Sequence, residues 1–231
     1  MKQNLARQYD NFADTFLQGV EQYNDLCSRV YFTKLNTNLR RMKVLDIGCG
    51  NGRDLSMLLN SGAYLYGIDA SQIMVKRAKT NVSRAHITQG VMEDLPYNDG
   101  FFDVVMSKYV IQSSTDVLTC IQEMNRVLKP GGTLLYLAVH PLRQFIEKKK
   151  HPKDYFLQEI VESVFFEGTV TASEPTHTMN DYLNPQFLQN FRVIEFEEHT
   201  DYPSCEKIDG DSYPCFFVLK ARKESCYHSF P

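Results

Sequence analysis

Two carboxylates near the start of the chain have the residue types and spacing that binding chemistry needs. Asp46 ends a short apolar run and is followed at once by Gly48 and Gly50, and Asp69 ends a second apolar run. An apolar run that ends in an acid is typical of a buried parallel strand, and glycines after it let the backbone turn tightly against a ligand. The sequence therefore predicts a nucleotide-binding edge with an acid at the end of each of two strands.

The residues around the glycines distinguish the possible ligands. A phosphate loop needs Lys followed by Ser or Thr after its last glycine, whereas Gly52 is followed here by Arg53 and Asp54. A dinucleotide fingerprint needs a third glycine at the position of Arg53, so a dehydrogenase is weakened but stays open. A carboxylate at Asp46 also disfavours a pyrophosphate, because it would lie beside the anion that the next helix attracts.

An acid at each strand end favours a positively charged nucleoside ligand. S-adenosylmethionine carries an ammonium and a sulfonium next to a nucleoside, so Asp46 can serve its cationic amino-acid end and Asp69 can bind its ribose hydroxyls. The alternative is that Asp46 only caps the turn and Asp69 only caps the helix that starts near Ser71. The first interpretation gives both acids a function, and we favour it.

Further motifs between Lys43 and Val139 share the order and spacing of a known family. They are Gly90-Val91-Met92-Glu93-Asp94-Leu95-Pro96, Phe101-Phe102-Asp103-Val104-Val105-Met106-Ser107, Met124-Asn125-Arg126-Val127-Leu128 and Lys129-Pro130-Gly131-Gly132. With these motifs the chain resembles the small-molecule branch of the class I S-adenosylmethionine-dependent methyltransferases. The resemblance implies an α/β fold, a doubly wound, mostly parallel seven-stranded Rossmann-like sheet with the last strand antiparallel and helices on both faces. It also implies methyl transfer from S-adenosyl-L-methionine, which becomes S-adenosyl-L-homocysteine, to an O, N or C nucleophile.

The resemblance also implies cofactor contacts at matching positions. Met74 would flank the adenine or ribose, the Ser107 carbonyl would bind the amino group of the methionine moiety, and Tyr9 or Tyr23 would meet its carboxylate. The predicted cofactor-binding set is Tyr9, Asp46, Gly48, Gly50, Asp69, Ala70, Met74, Met92, Glu93 and Ser107. The chain departs from the family at Val91, where an Asp usually accepts a hydrogen bond from the adenine amino group. We expect the Met92 amide and the Glu93 carboxylate to serve the ring instead.

A sulfonium methyl is already activated, so the protein mainly has to align it with the acceptor and exclude water. For a hydroxyl or carbon acid a histidine base would help, and His140, after the fifth predicted strand, is the best-placed candidate. Tyr109 and Gln112 follow the fourth predicted strand and are predicted to orient the acceptor, and His177 could reach in from a lid. The alternatives are that His140 shapes a turn, Tyr109 is a core residue and His177 lies on the surface.

The chain is predicted to form one methyltransferase domain with four parts. Residues 1–42 form an N-terminal helical cap of two helices, 43–139 the cofactor-binding half, 140–179 an inserted lid and 180–231 a C-terminal helix and strands. Alternation of strands and helices indicates a parallel sheet with right-handed crossovers. Within the C-terminal half, residues 165–171 are predicted as a strand and 180–190 as a helix.

Composition limits the partners. The chain has 231 residues and a formal charge of −3, which offers no broad attraction to polyanions, so nucleic acid is not an expected partner. No window reaches the roughly 18 apolar residues of a membrane span. The six cysteines lack zinc-ligand spacing, so we expect free thiols, a reducing compartment and no metal. A cytoplasmic monomer or homodimer that methylates a small-molecule acceptor is expected; a noncatalytic binder and an NAD-dependent oxidoreductase are the alternatives.

Overall fold

Three helices precede the first strand in the computed structural model, which describes residues 2–22, 26–35, 38–166, 168–200 and 212–225. They are α1 (Lys2–Asn11), α2 (Ala13–Gln22) and α3 (Leu26–Lys34). The prediction of two helices was wrong because the chain turns at Phe12, and the turn lets the ring of Phe12 pack on Tyr9 at 5.3 Å between centroids. The repeated aromatic spacing is present, but it spans two helices.

A seven-stranded sheet forms the centre of the fold and confirms the predicted fold class. Its strands are β1 (Lys43–Ile47), β2 (Tyr64–Asp69), β3 (His86–Gln89), β4 (Phe102–Lys108), β5 (Leu128–Val139), β8 (Phe191–His199) and β9 (Phe216–Lys223). Their order is β3-β2-β1-β4-β5-β9-β8. Strand β9 is antiparallel to both neighbours, and the pairs from β3 to β5 are parallel, so the last strand enters antiparallel as predicted.

Helices connect the parallel strands and cover the sheet. They are α4 (Arg53–Met57), α5 (Gln72–Asn81) and α6 (Val117–Val127). Ser71 caps α5 by accepting a hydrogen bond from the Met74 amide at 3.1 Å, and Asp116 caps α6 by accepting from Thr119 at 3.0 Å. Apolar side chains pack in two separate buried clusters, one around Tyr136 and one around Tyr31.

The segment from 140 to 179, which we call the lid segment, contains a helical turn and a hairpin. Helix α7 (Pro141–Arg143) continues into a π-helical turn (Gln144–Lys148), and β6 (Ile160–Phe165) pairs with β7 (Val170–Pro175). The predicted strand over 165–171 is wrong, because the chain reverses there through positive φ angles at Phe166 and Gly168. The predicted helix over 180–190 is two short helices, α8 (Met179–Tyr182) and α9 (Pro185–Asn190), since Pro185 starts a second one.

Two smaller features complete the fold. Strand β5 begins at Leu128 and takes in the Pro-Gly-Gly residues as a bulge, with Gly131 at φ 74°. Cys27, Cys49 and Cys120 are buried free thiols, but Cys215 is disulfide-bonded, so the expectation of six free thiols was wrong. In the described ranges no helix has the length and apolar character needed to cross a membrane.

Candidate functional site

The glycine-rich turn after β1 lies against the end of β2. In the parallel register Ile47 pairs with Ile68, and the amides of Gly48 and Cys49 both donate to the Ile68 carbonyl, at 2.7 and 3.0 Å. Gly48 has φ 72°, and a Cβ there would lie 2.2 Å from the Val110 side chain. At Gly50 a Cβ would meet nothing within 4 Å, so the backbone faces open space in which a ligand can approach it.

Asp46 is a buried carboxylate to which none of the described residues donates a hydrogen bond. The residue is 2% exposed. Burial raises the pKa of Asp46 well above its usual range, and the charge of Asp54 adds to the rise while that of Lys108 opposes it. Lys108 is itself paired with Asp54 at 3.0 Å. A buried acid in this condition is stabilised by a cationic ligand such as an ammonium group.

Asp69 is held by backbone amides on both carboxylate oxygens. The Gly50 amide donates to Oδ2 at 2.8 Å and the Ser71 amide donates to Oδ1 at 2.9 Å. Burial raises the pKa of Asp69, and these two hydrogen bonds lower it in opposition. Each oxygen keeps a further lone pair, so the fixed carboxylate can still accept hydrogen bonds from a pair of hydroxyls.

Helix α1 lies over this edge. Asp10 accepts hydrogen bonds from the Ser71 hydroxyl and, at 3.3 Å, from the Ile73 amide at the start of α5. Tyr9 is half-buried. Burial and, to a smaller extent, the charge of Glu174 raise the pKa of its hydroxyl, whereas a hydrogen bond with Ser113 lowers this pKa. Tyr9 thus lies between the strand ends and the lid segment. Tyr23, the other predicted clamp, is outside the described residues.

The remaining predicted cofactor residues surround the same edge. Met74 is buried at the first turn of α5, and the Ala70 carbonyl accepts a hydrogen bond from Gln89 at 3.2 Å. Ser107 is fully buried near the carboxyl end of β4, and its hydroxyl has no hydrogen-bond partner in the described part of the chain. The structure therefore gathers residues from the ends of β1, β2 and β4 at one edge of the sheet, where open α/β sheets bind ligands.

The segment expected to border the adenine departs from the prediction at one contact. Val91 is 38% exposed and forms an isolated bridge with Asp94, while Met92 packs partly buried against the core. Glu93, the predicted substitute acceptor, already accepts a hydrogen bond from the Ser114 hydroxyl. Only the second carboxylate oxygen of Glu93 lacks this bond, so Glu93 has less capacity to serve as the predicted acceptor.

His140 has both ring nitrogens engaged. The Leu142 amide donates to Nδ1 at 3.0 Å, so Nε2 carries the proton and donates to Glu198 at 2.7 Å. Burial lowers the pKa of His140, although Glu198 opposes the change. In this state the ring caps helix α7 and has no lone pair for a substrate proton, which favours the turn-forming alternative over the predicted base.

Tyr109 is directed toward the N-terminal helices. It has φ 57°, and its hydroxyl donates to the Cys27 sulfur at 3.0 Å. Its ring contacts Phe216 at 6.4 Å between centroids and packs against the cluster around Tyr31. These contacts favour the core alternative over the predicted acceptor-orienting role.

His177 and Gln112 lie together in the interior. His177 is 3% exposed rather than on the surface, and its Nε2 donates to the Gln112 carbonyl at 2.9 Å. Gln144 joins them by accepting a hydrogen bond from the His177 amide at 3.2 Å and donating to the Pro175 carbonyl at 3.0 Å. Neither Gln144 nor its neighbour Glu174 was identified from the sequence, because no local pattern marks either one.

A cleft of about 440 Å³ opens beside this group, between the start of α6 and helices α8 and α9. His177, Asp181, Thr115 and Gln158 form part of its wall. Gln158 links the lid segment to the loop before α6 by donating to the Thr115 carbonyl at 3.3 Å. The cleft is large enough for a small organic molecule.

Several known proteins to which this chain is similar are described as methyltransferases. A model described as the methyltransferase domain matches residues 45–136. An uncharacterized methyltransferase from Synechocystis is 41% identical over 100 residues, 42% of this chain and 47% of the relative. A demethylmenaquinone methyltransferase from Staphylococcus aureus is 32% identical over 142 residues, 58% of this chain and 57% of the relative.

The fold extends further than the sequence similarity. The structure of an S-adenosylmethionine-dependent methyltransferase from Mesorhizobium loti superposes with a TM-score of 0.66 at 19% identity, over 82% of this chain and 94% of that one. By sequence, in contrast, the chain spans about half the length of the curated relatives it matches. The matched half contains the glycine turn, Asp69 and the strand ends described above.

Proposed function

We propose that the chain transfers a methyl group from S-adenosylmethionine to an O, N or C nucleophile of a small metabolite, because residues 45–136 match a methyltransferase domain and the fold is that of an S-adenosylmethionine-dependent methyltransferase. The observation that carries the proposal is the unpartnered, buried carboxylate of Asp46 beside the fixed carboxylate of Asp69. One acid suits an ammonium and the other suits a pair of ribose hydroxyls, and both occur at the open backbone of Gly50.

The residues at the edge divide the binding between them. Asp46 and the Ser107 carbonyl would hold the amino group of the methionine moiety, and Tyr9 its carboxylate. Asp69 would bind the ribose, and Met74 with the Met92 amide would hold the adenine. When bound, the cofactor supplies an activated sulfonium methyl. The protein's task is then to orient the acceptor and to exclude water, which agrees with a site enclosed by α1 and the lid segment.

The two alternatives have less support. An NAD-dependent oxidoreductase would place a pyrophosphate beside Asp46, whose charge is already poorly tolerated by its surroundings. A noncatalytic binder draws support from Val91, but the relatives that share the domain are described as methyltransferases. We further propose a small-molecule acceptor, a cytoplasmic location and a monomer or homodimer, since the net charge of −3 gives no attraction to polyanions.

Calorimetry and product analysis test this function. Titration with S-adenosylmethionine and S-adenosylhomocysteine should give saturable binding, and titration with NAD should give none. Methyl-labelled cofactor should then label a product in a metabolite extract, and a demethylated naphthoquinol is a defined acceptor to include because one relative is a demethylmenaquinone methyltransferase. Binding of NAD alone would overturn the proposal, and cofactor binding without any labelled product would favour the noncatalytic alternative.

A further inference from the structure

The tautomer of His177 is fixed by its surroundings. Because the Gln112 carbonyl can only accept, His177 Nε2 must carry a proton, and Nδ1 of the neutral ring carries a lone pair. Nδ1 is buried and has no hydrogen-bond partner among the described residues. A buried acceptor left in this state is costly, so its persistence points to a ligand that completes it.

Gln112, whose carbonyl accepts from His177, carries a second acceptor that lacks a donor among the described residues. The side-chain oxygen of Gln112 is also buried, and the described residues supply no hydrogen bond to it. A bound molecule that satisfies either His177 Nδ1 or Gln112 Oε1 must therefore present a hydrogen-bond donor. Asp181 Oδ2 lies 4.0 Å from Nδ1, where its charge would stabilise an imidazolium.

The turn that holds His177 also borders the proposed cofactor site. Gln112 follows β4 in a 3-10 turn. The next residue, Ser113, forms a hydrogen bond with the Tyr9 hydroxyl, and the charge of Asp69 also acts on that hydroxyl. On its other side His177 contributes to the wall of the 440 Å³ cleft. His177 is thus linked to Tyr9 at the proposed cofactor site through Gln112 and Ser113, and it forms part of the wall of a cavity of acceptor size.

We propose that His177 is the general base for an acceptor that carries an acidic hydroxyl, a phenol or an enol. This rests on the proposed function and names the acceptor class for that site. The acceptor O–H bond breaks, its proton moves to Nδ1, and the oxygen keeps the electron pair. That pair would form the new bond to the methyl group, while the electron pair of the broken carbon–sulfur bond would stay on sulfur. If the conjugated carbon of a phenolate forms the bond instead, that carbon would afterwards lose its own proton to solvent and the phenol would form again. The proton then leaves His177 for solvent.

The acidity of the acceptor follows from the base. An imidazole is matched to phenols and enols, whose O–H acidity lies within a few pKa units of its own, and it is too weak to ionise an alkyl alcohol. Burial lowers the pKa of His177, so the ring is neutral and ready to accept a proton near neutral pH. Among the described residues, the titratable side chains nearest the ring are Asp181 and Tyr182. The neutral groups that interact with the ring are the Gln112 carbonyl and the Ser114 backbone, and both oppose the lowering of its pKa.

A chromogenic phenol tests the proposal without turnover. Protein saturated with S-adenosylhomocysteine is titrated with para-nitrophenol at several pH values, and the visible phenolate band reports ionisation of the bound phenol. In the wild type the bound phenol should ionise with a constant at least tenfold larger than in His177→Gln. Glutamine is chosen because its amide can still donate to the Gln112 carbonyl. His86→Gln, the same change at an exposed histidine, should behave as the wild type.

The outcomes separate this inference from the proposed function. Failure of S-adenosylhomocysteine to bind in calorimetry would count against the function itself. Normal cofactor binding, together with a phenol that does not bind or ionises equally in the wild type and His177→Gln, would overturn the role of His177. If His177→Gln does not fold, nitrogen NMR of histidine-labelled wild type decides the question, since Nδ1 should change from unprotonated to protonated when the phenol binds.

Discussion

The cofactor edge, which is formed by the carboxyl ends of β1, β2 and β4, and the lid segment both contain buried polar groups. The two regions differ in where the hydrogen-bond partners of these groups lie in the sequence. At the edge, Asp69 takes its two donors from Gly50 and Ser71, which lie in adjacent turns of the same motif. In the lid segment the partners come from far along the chain, as when Ser173 exchanges two hydrogen bonds with Gln8 in α1. The edge is therefore encoded locally, whereas the interior of the lid segment exists only after the chain has folded.

The two regions differ in which buried groups burial shifts. Burial raises the pKa of Asp46 and Asp69 at the edge, whereas in the lid segment it lowers the pKa of His140 and His177 and raises that of Glu174. In each case the neutral form is favoured because the charged form loses hydration. A bound cation would favour the charged form of the acids at the edge, and the two histidines are kept in the neutral form that can accept a hydrogen bond.

Replacement of Asp46 by Asn should give the largest effect. Without the carboxylate, affinity for S-adenosylmethionine should fall about 100- to 1000-fold, because a desolvated charge pair with the ammonium is lost. The free energy of unfolding should rise by about 1–2 kcal/mol, since an unpaired buried charge beside Asp54 is removed. Calorimetry and urea denaturation measure the two quantities on the same protein.

Asp94→Asn is the matched control for Asp46→Asn. Asp94 is an exposed acid of the same region, and its replacement should leave both affinity and stability near wild-type values. A variant Asp46→Asn that binds the cofactor normally would show that the edge does not use this acid for a cation. A loss of stability in that variant would show that Asp46 has a structural partner in solution.

Replacement of Arg126 should show how strongly the segment beside Met92 depends on the contacts of one guanidinium. Its guanidinium donates to the carbonyls of Leu95 and Tyr97 at 2.8 and 2.7 Å and pairs with Glu123, which in turn accepts from the Leu95 amide. Arg126→Met keeps the stem but removes this fork, so the free energy of unfolding should fall by about 2–3 kcal/mol. Cofactor affinity should fall with it, because the segment beside Met92 loses its anchor.

Arg192→Met provides the comparison for Arg126→Met. Arg192 is exposed and lies 3.9 Å from Glu224, a surface pair that should change stability by no more than about 0.5 kcal/mol. Equal effects of the two substitutions in urea denaturation would mean that the Arg126 contacts contribute no more than a solvated pair.

The same contrast explains what the sequence could predict. The strands, their order and the positions of Asp46 and Asp69 follow from apolar periodicity and the glycine turn, which are local signals. The role of His177 does not, because its partner Gln112 lies 65 positions away and nothing near His177 marks it as buried. His140 was favoured for its place at a strand end, but the hydrogen bonds to Leu142 and Glu198 that occupy its ring appear only in three dimensions.

The link between α1 and the lid segment should control release of the cofactor. Gln8→Ala removes both hydrogen bonds to Ser173, at 2.9 and 2.8 Å, while the ring contact of Phe16 with Phe166 remains. Loss of about 1–2 kcal/mol from this link should speed dissociation of S-adenosylhomocysteine by roughly tenfold, as measured by stopped-flow displacement. Gln18→Ala, at an exposed position of α2, should leave the rate unchanged. Equal rates in all three proteins would show that α1 is not held to the lid segment by Gln8.

The lid histidines should give stability a pH slope, and His140→Gln should reduce it. Because the folded-state pKa of His140 lies below its unfolded value of about 6.5, the unfolded chain binds more protons as pH falls through that value. The free energy of unfolding must then decrease on acidification, by at most about 1.4 kcal/mol per pH unit for one group. His177 acts in the same direction, and Glu174, whose pKa is raised by burial, acts in the opposite direction at pH values above its unfolded pKa. Glutamine can accept from Leu142 and donate to Glu198, so stability at pH 7 should change little.

Urea denaturation between pH 7 and pH 5.5 should show that the free energy of unfolding depends less steeply on pH in His140→Gln than in the wild type or in the exposed-site variant His86→Gln. An unchanged dependence on pH would mean that the protons are taken up at other groups.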